Sequence, residues 1–364
     1  MGVPRTTSEP ADKTAFMWGL FRYKLIRDCR MPELSQEPDL FNRMRWDGRS
    51  RIHVETWVLT LNQVSTGAAF HIRYGLLVPE KGRVSVQVSF TSCVPGRTGS
   101  DVAIAHNYPV DHLSWTDDPF WLEMGPCCIE SGRVTGMLGA GGTAVTWDLL
   151  YQQVTDPLLN LPSRSRHDRA WGLVTPSPFT LFGGKIEIED HQFMLNGDPG
   201  QLVHFWGSCY PSEWIWYHCS SFLGDGGEPL PVYVSGMTAQ DPLLGAIMRR
   251  PKSFGHLVRG ESHIKLDPVT SWRDRKAGHW QWKGLLGKEQ ATVEVTVPRR
   301  NLVLAEYDEP CGRRVYCHHS ESADCRLQFQ EAGRPPRLFR AEGMACVEIG
   351  ANEADPAIAR KLVF

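Results

Sequence analysis

The chain has 364 residues, 41% of them hydrophobic and 22% charged, with a formal net charge of −2. That composition is ordinary for a globular protein, and the near-balanced charge gives no field that would draw nucleic acid or an anionic membrane. Apolar runs fall short of the ~20 residues that span a bilayer, so no transmembrane segment is expected.

The first residues, MGVPRTTSEPADKTAF, have no apolar core behind their charges and do not read as a secretory signal. The short myristoylation match in MGVPRT is discounted for its proline. Without an export tag, the 10 irregularly spaced cysteines are expected to be reduced, in a cytoplasmic chain. Residues 13–26 (KTAFMWGLFRYKLI) carry the first helical pattern. Short period-two segments then follow one another: HVETWVLTLN (53–62), AAFHIRYGLLV (68–78), RVSVQVSF (83–90) and KIEIEDHQFML (185–195). Each is rich in Val, Ile, Thr and aromatics and bounded by turn residues, which predicts strands. The glycine-rich GAGG (139–142) and LFGGK (181–185) lack the helix-opening context of a nucleotide loop and read as turns between strands. No G-x-S-x-G elbow is present.

A boundary is expected near residues 196–201 (NGDPGQ), giving one β domain over 1–198 and a second over 199–364. The second opens on HFWGSCYPSEWIWYHCSSF (204–222). A second helical pattern lies at 239–250, with Pro242 suited to a first turn. Strands are predicted again at ATVEVTV (291–297) and NLVLAEYD (301–308). The group Cys311, Cys317, His318, His319 and Cys325 contains zinc-ligand types. No CxxC pair occurs in the chain, so these read as small side chains on a strand and no metal site is assigned. The fold class expected is all-β, two tandem antiparallel barrels or sandwiches with few short helices.

Alternation also sorts faces, because residues i and i+2 of a strand point the same way. Glu55 goes with Trp57, His71 with Arg73, and His204 with Trp206. Trp214, Trp216 and His218 form a row. Large amphipathic side chains on an inward face suit the wall of a ligand cavity.

These stretches, with WDLLY (147–151) and EGMACVEIG (342–350), occur in an order that resembles the tocopherol cyclase-like and hydroxyneurosporene synthase-like (carotenoid hydratase) superfamily, to which fungal decalin-forming Diels–Alderases are structurally related. The resemblance runs from about residue 45 to residue 350. Its most specific part is similar to the W-x-W-x-x-C-N-x-F pattern of tocopherol cyclases, matched here by Trp214, Trp216, Cys219 and Phe222, with Ser220 where the family has Asn. The resemblance implies lipocalin-like β-barrel domains, a hydrophobic pocket at or between them, and cofactor-free cyclisation, hydration or cycloaddition of isoprenoid, polyene or polyketide skeletons.

Such chemistry needs a pocket that folds the substrate, a buried proton donor and aromatic faces for developing positive charge. Glu55, His204 and His218 are the candidate catalytic residues, with Asp148 and Glu348 as further donors. Trp57, Arg73, Trp206, Trp214, Trp216 and Tyr217 are the candidate substrate-binding residues. Each has a plainer reading. Glu55 is alternatively an exposed strand residue or a buried partner of Arg73, the histidines hydrogen-bonded core residues, and the tryptophans core filler. The function expected is a cofactor-independent cyclase, hydratase or isomerase acting on a hydrophobic small molecule. A non-catalytic carrier of such a molecule, or a structural protein with no small ligand, remains open, as do the substrate and the oligomeric state.

Overall fold

The computed structural model describes residues 39–96, 101–159, 171–224, 230–240, 252–260, 262–274, 279–286 and 288–364. The helix expected at 13–26 lies outside these residues, and so does that at 239–250 except for Ala239 and Gln240, which end a strand. Helix among the described residues is limited to the single turn α1 (Asp39–Asn42) and two three-residue 3-10 turns. The all-β expectation holds, as two curled, mainly antiparallel sheets.

The first sheet contains β1 (His53–Gln63), β2 (Ala68–Val78), β3 (Ser85–Cys93), β4 (Ala103–Pro109), β5 (Leu113–Asp117), β6 (Phe120–Met124), β7 (Cys127–Glu130), β8 (Arg133–Ala140), β9 (Thr143–Gln153), β10 (Leu158–Leu159), β11 (Trp171–Ile188) and β12 (His191–Gly207). Its order is β4-β3-β2-β1-β12-β11-β9-β8-β7-β6-β5, with β10 paired to β11. The sheet curls until His106 on β4 meets the Gly139 carbonyl on β8 at 2.6 Å.

The second sheet contains β13 (Glu213–Cys219), β14 (Val232–Gln240), β15 (Lys252–Arg259), β16 (Ser262–Asp274), β17 (His279–Leu286), β18 (Glu289–Thr296), β19 (Val303–Asp308), β20 (Arg314–Gln330), β21 (Arg337–Ala351) and β22 (Arg360–Lys361). The path β18-β17-β16-β15-β14-β13-β21-β20 returns to β18, which closes a barrel of these eight strands. β12 runs unbroken through residues 196–201, and the changeover between sheets falls at 208–212. The proline and glycines of that stretch sit at a register shift opposite β11, where a bulge bends a long strand without ending it.

Each sheet wraps its own apolar core. A third core forms where their outer faces meet, joining Val58, Leu173 and Phe205 of the first sheet to Trp214, Trp216 and Met237 of the second. Residues near the described C-terminus tie the pair together. β22 lies beside β19, Val363 exchanges backbone bonds with Ala103 and Ala105 on β4, and Arg360 donates to the Ser92 carbonyl at 2.7 Å.

LFGGK (181–185), expected as a turn, lies inside β11, and other glycines stand inside strands opposite aromatic rings. Gly350 on β21 pairs with Trp214, and a Cβ there would collide with the indole. Gly172 on β11 likewise leaves room for Trp206.

A buried polar cluster fixes the segment preceding β1. The Glu55 carboxylate accepts from the backbone N–H groups of Arg45 (2.7 Å) and Trp46 (3.0 Å) and meets His53 Nε2 and His204 Nε2, both at 2.8 Å. His204 reaches the Phe41 carbonyl through Nδ1 at 2.7 Å, so both of its ring nitrogens face oxygen. Trp57 stacks on His204 with ring centroids 4.6 Å apart and donates to the Asn42 carbonyl at 2.9 Å. Trp206 packs tilted against His204, with ring centroids 5.1 Å apart, under the Arg45 guanidinium. Burial pushes the Glu55 carboxyl up, but the bonds from His204 and His53 outweigh it and hold it below the usual range.

Two stability predictions follow from these contacts. A depressed folded-state pKa contributes stability that is present above the unfolded carboxylate value of ~4.3 and lost as pH falls through the folded value. Glu55→Gln is therefore expected to cost ~3–5 kcal/mol at pH 7, the usual penalty for breaking a buried pair, and to flatten the acid limb of the stability profile. Urea titrations of both chains from pH 3 to 7 check this. Gly350→Ala is expected to cost ~1–3 kcal/mol through overpacking against Trp214, read as a lower urea midpoint.

Candidate functional site

Strand alternation decides which side chains reach the space between the sheets. On β1, Thr56 and Val58 face it, whereas Glu55, Trp57 and Leu59 face the opposite way. On β12, Val203 and Phe205 face it and His204 and Trp206 turn away. On β13, Trp214 and Trp216 face it, while Ile215 and Tyr217 enter the core of the second barrel. The result is a tight cavity of about 60 Å³, smaller than the ~300–1,000 Å³ of most small-molecule sites, so a ligand enters it only as the walls part.

The walls are mostly apolar and aromatic. Tyr210 joins them, stacked against Phe205 at 5.1 Å and Trp214 at 6.0 Å between ring centroids. Its loop is placed by its own backbone N–H, which donates to Glu309 Oε1 at 2.8 Å, and Glu309 is held by Arg313. Two charged side chains also line the cavity, Arg73 and Glu348. Arg73 is buried, lies 4.1 Å from the Tyr307 ring centroid, and donates to the Tyr210 hydroxyl at 3.0 Å. Burial pushes the Tyr210 and Tyr307 phenols up, more than Arg73 pulls them down, so both keep their protons. Arg73, Tyr210 and Tyr307 also line a wider groove, open to solvent and edged by Gln87, Asn107, Glu306 and Arg314. They stand at the boundary between an apolar interior and a polar mouth.

Register places the carboxylate. Glu348 on β21 pairs with Trp216 on one side and His319 on the other, so the three share a row facing the first sheet. The Glu348 side chain is 21% exposed, and His71 Nε2 lies 3.9 Å from it. Deeper still, the His71 and His319 rings lie 4.5 Å apart, and His319 Nδ1 bonds Glu321 Oε1 at 2.8 Å. Burial disfavours charge on both members of that pair. Their mutual attraction prevails, holding His319 above the usual range and Glu321 below it. His71, His319 and Glu321 place one potential ligand atom each within 4.8 Å of one another, the group among the described residues with a metal-ligating donor set. His319 and Glu321 already form an ion pair there.

The sequence candidates are thus divided. Arg73, Trp214 and Trp216 line the cavity. His218 follows on the same face of β13, 3% exposed and stacked beside Trp216, with ring centroids 6.4 Å apart. Burial pushes its imidazole down to about 3, so it is uncharged at neutral pH. Glu55, His204, Trp57 and Trp206 stay together, but on the far side of the first sheet, with their hydrogen bonds directed at the 41–46 segment. Tyr217 packs on Trp280 in the second barrel. Asp148 forms a two-pronged, half-exposed ion pair with Arg133 at 3.0 Å. The Cys/His group does not converge. Cys325 enters the barrel core, Cys311 is exposed, and His318 bonds the Ile349 carbonyl and the Asp355 N–H while its neighbour His319 points to the first sheet. The nine described cysteines are all free. Phe205, Tyr210, Tyr307 and Met237 were not legible as cavity residues. Only Phe205 carried a signal, as the residue out of phase with His204 and Trp206.

Comparison with known proteins agrees with this architecture. The family described as tocopherol cyclase-like matches residues 179–351. An uncharacterized protein of Mycobacterium tuberculosis, found in the CDC 1551 / Oshkosh and H37Rv strains, is 24% identical over 246 residues, 66% of this chain and 70% of the relative. Among solved structures, CghA aligns with a TM-score of 0.57 at 10% identity, over 90% of this chain and 97% of CghA. CghA with Sch210972 aligns at 0.54 and 8% identity, over 83% and 89% of the two chains. The described helices include none long and apolar enough to cross a membrane. The resemblance to tocopherol cyclase-like proteins is therefore borne out, by the family pattern over residues 179–351 and by a shared lipocalin-like fold over most of the chain.

Proposed function

We propose that the chain is an enzyme that cyclises, hydrates or isomerises a hydrophobic isoprenoid, polyene or polyketide skeleton in the cavity between its two sheets, without a dissociable cofactor. The observation that carries this reading is the pairing of Glu348 with Trp216 on the wall of an aromatic cavity whose mouth holds Arg73. An apolar skeleton fits against Trp214, Trp216 and Phe205, and holding it in a reactive shape supplies up to ~7–11 kcal/mol of the barrier. Arg73 and the Tyr210 hydroxyl, which accepts from Arg73 and keeps its own proton to donate, orient an oxygen function at the mouth. Glu348 moves the proton. In its acid form it protonates an alkene carbon, the indole faces of Trp214 and Trp216 stabilise the cation by ~1–2 kcal/mol each, and the carboxylate recovers a proton from an adjacent carbon or from the water that adds. CghA, which shares the fold, has been crystallised with Sch210972, in keeping with a small-molecule ligand here. The cavity is the proposed partner site, and nucleic acid has no role in this reading. Division of the chain into two β domains, one per sheet, is part of the same proposal.

Incubation with a panel of polyprenyl, polyene and polyketide compounds, followed by mass spectrometry and tryptophan fluorescence, tests the reading. A converted compound should be bound ~30- to 1,000-fold more weakly by Trp216→Ala, a loss of ~2–4 kcal/mol, the scale of truncating a buried aromatic. Glu348→Gln should lower kcat at least ~100-fold with little change in affinity. A compound that binds tightly and is returned unchanged would instead mark a carrier. Exhaustive chelation should leave turnover intact. Loss of turnover that one equivalent of zinc restores would move the chemistry to His71, His319 and Glu321.

A further inference from the structure

β13 continues past the two tryptophans that wall the cavity. Trp214, Trp216 and His218 share one face, and alternate residues of a strand are about 6.7 Å apart, so the row spans about 13 Å. His218, the last of the three, stands one position beyond the cavity lining and carries an unmet requirement. Neither ring nitrogen of His218 has a hydrogen-bond partner among the described residues, nor does the Trp216 indole N–H beside it. Neither its register partner Ser235 nor Tyr233, two residues along β14, meets it. The Ser235 hydroxyl is directed to the Tyr217 carbonyl at 3.3 Å, and Tyr233 presents its ring to the imidazole at 5.9 Å. Buried polar groups are rarely left this way, because each unsatisfied donor or acceptor costs ~1–3 kcal/mol. The contrast with His204 is direct, since both of its nitrogens are engaged.

We infer that His218, together with the Trp216 N–H, forms a second polar subsite that takes a neutral oxygen, a hydroxyl or carbonyl, of the ligand. The inference rests on the reading of the inter-sheet cavity as a ligand site and specifies what that ligand carries. An uncharged imidazole has one donor and one acceptor, which match a hydroxyl, and two neighbouring N–H groups match a carbonyl. An anion at this end would be buried without a counter-charge, whereas Arg73 offers one at the mouth. The ligand is therefore apolar along Trp214 and Trp216, strongly polar or anionic at Arg73, and neutral but oxygenated at His218. With burial holding the imidazole at about 3, the residue positions the ligand and is not the proton donor that a histidine beside tryptophans suggests in sequence.

The probes are naphthalene and 2-naphthol, which differ by one hydroxyl. Their affinities for the wild type, His218→Phe and Trp216→Phe are measured by equilibrium dialysis, with a thermal melt of each chain. The ratio of 2-naphthol to naphthalene affinity is expected to fall about tenfold in His218→Phe and by a smaller factor in Trp216→Phe, as for loss of one or part of one hydrogen bond. His218→Phe is expected to melt no lower than the wild type, because a phenyl ring removes two unmet polar atoms. An unchanged ratio in both variants overturns the inference, and a lower melting point with it would mark an ordinary core histidine. If naphthalene binds and the ratio is unchanged, the subsite alone is lost. If neither probe binds the wild type, the reading of the cavity as a ligand site falls with it.

Discussion

Each strand that borders the cavity has to satisfy two cores at once. β1 gives Trp57 and Leu59 to the inside of the first sheet and Thr56 and Val58 to the space between the sheets. β12 divides Leu202 and Val203 in the same way, and β13 divides Ile215 and Trp214. A strand that is buried on both faces has little freedom to shift, since a slip of one residue would exchange the two sets of side chains. That constraint explains why the outer faces of two curled sheets carry indoles instead of solvated polar groups.

The buried polar residues divide by whether their hydrogen bonds close. Glu55 and His204 are saturated, and what they hold is the chain's own 41–46 segment. His319 and Glu321 neutralise each other, with His71 packed against them. Glu348, Trp216 and His218 differ. The carboxylate reaches Cys317 Sγ only at 4.0 Å and His71 only at 3.9 Å, and the two rings have unmet nitrogens. Glu348 is partly exposed, and unmet nitrogens also occur at His71, Trp147 and Trp282, so what singles out Trp216 and His218 is their place in one row with Glu348 at the edge of the cavity.

Sequence alternation was reliable within each strand. Glu55 and Trp57 do share a face, as do His204 and Trp206, and Trp214, Trp216 and His218. What alternation does not supply is the phase between strands. Five residues, 208–212, separate β12 from β13 and carry the chain from one sheet to the other, so His204 and Trp206 point away from the tryptophans that follow them. Nor does alternation tell which of two buried faces adjoins a cavity. Tyr217 has the composition of a pocket residue and the phase of a barrel core. Tyr210 and Tyr307 come from a connecting loop and from β19, and only the three-dimensional packing brings them to Arg73. The stretch at 196–201 reads as a domain boundary because a bulge in a long strand uses the same glycines and proline as a break between strands. The fold class itself was legible because both period-two patterning and the WIWYHCSSF motif pointed to it.

The proposed chemistry takes place between the sheets and not in the core that either sheet encloses. The most direct measurement is a crystal structure of the protein with a converted polyene or polyketide compound bound at saturating concentration. Ligand density is expected against Trp214 and Trp216, with an oxygen function directed at Arg73 and Glu348 within reach of a reacting carbon. Density enclosed by either barrel, near Trp57 or Tyr217 and separated from Glu348 by a strand, would contradict it.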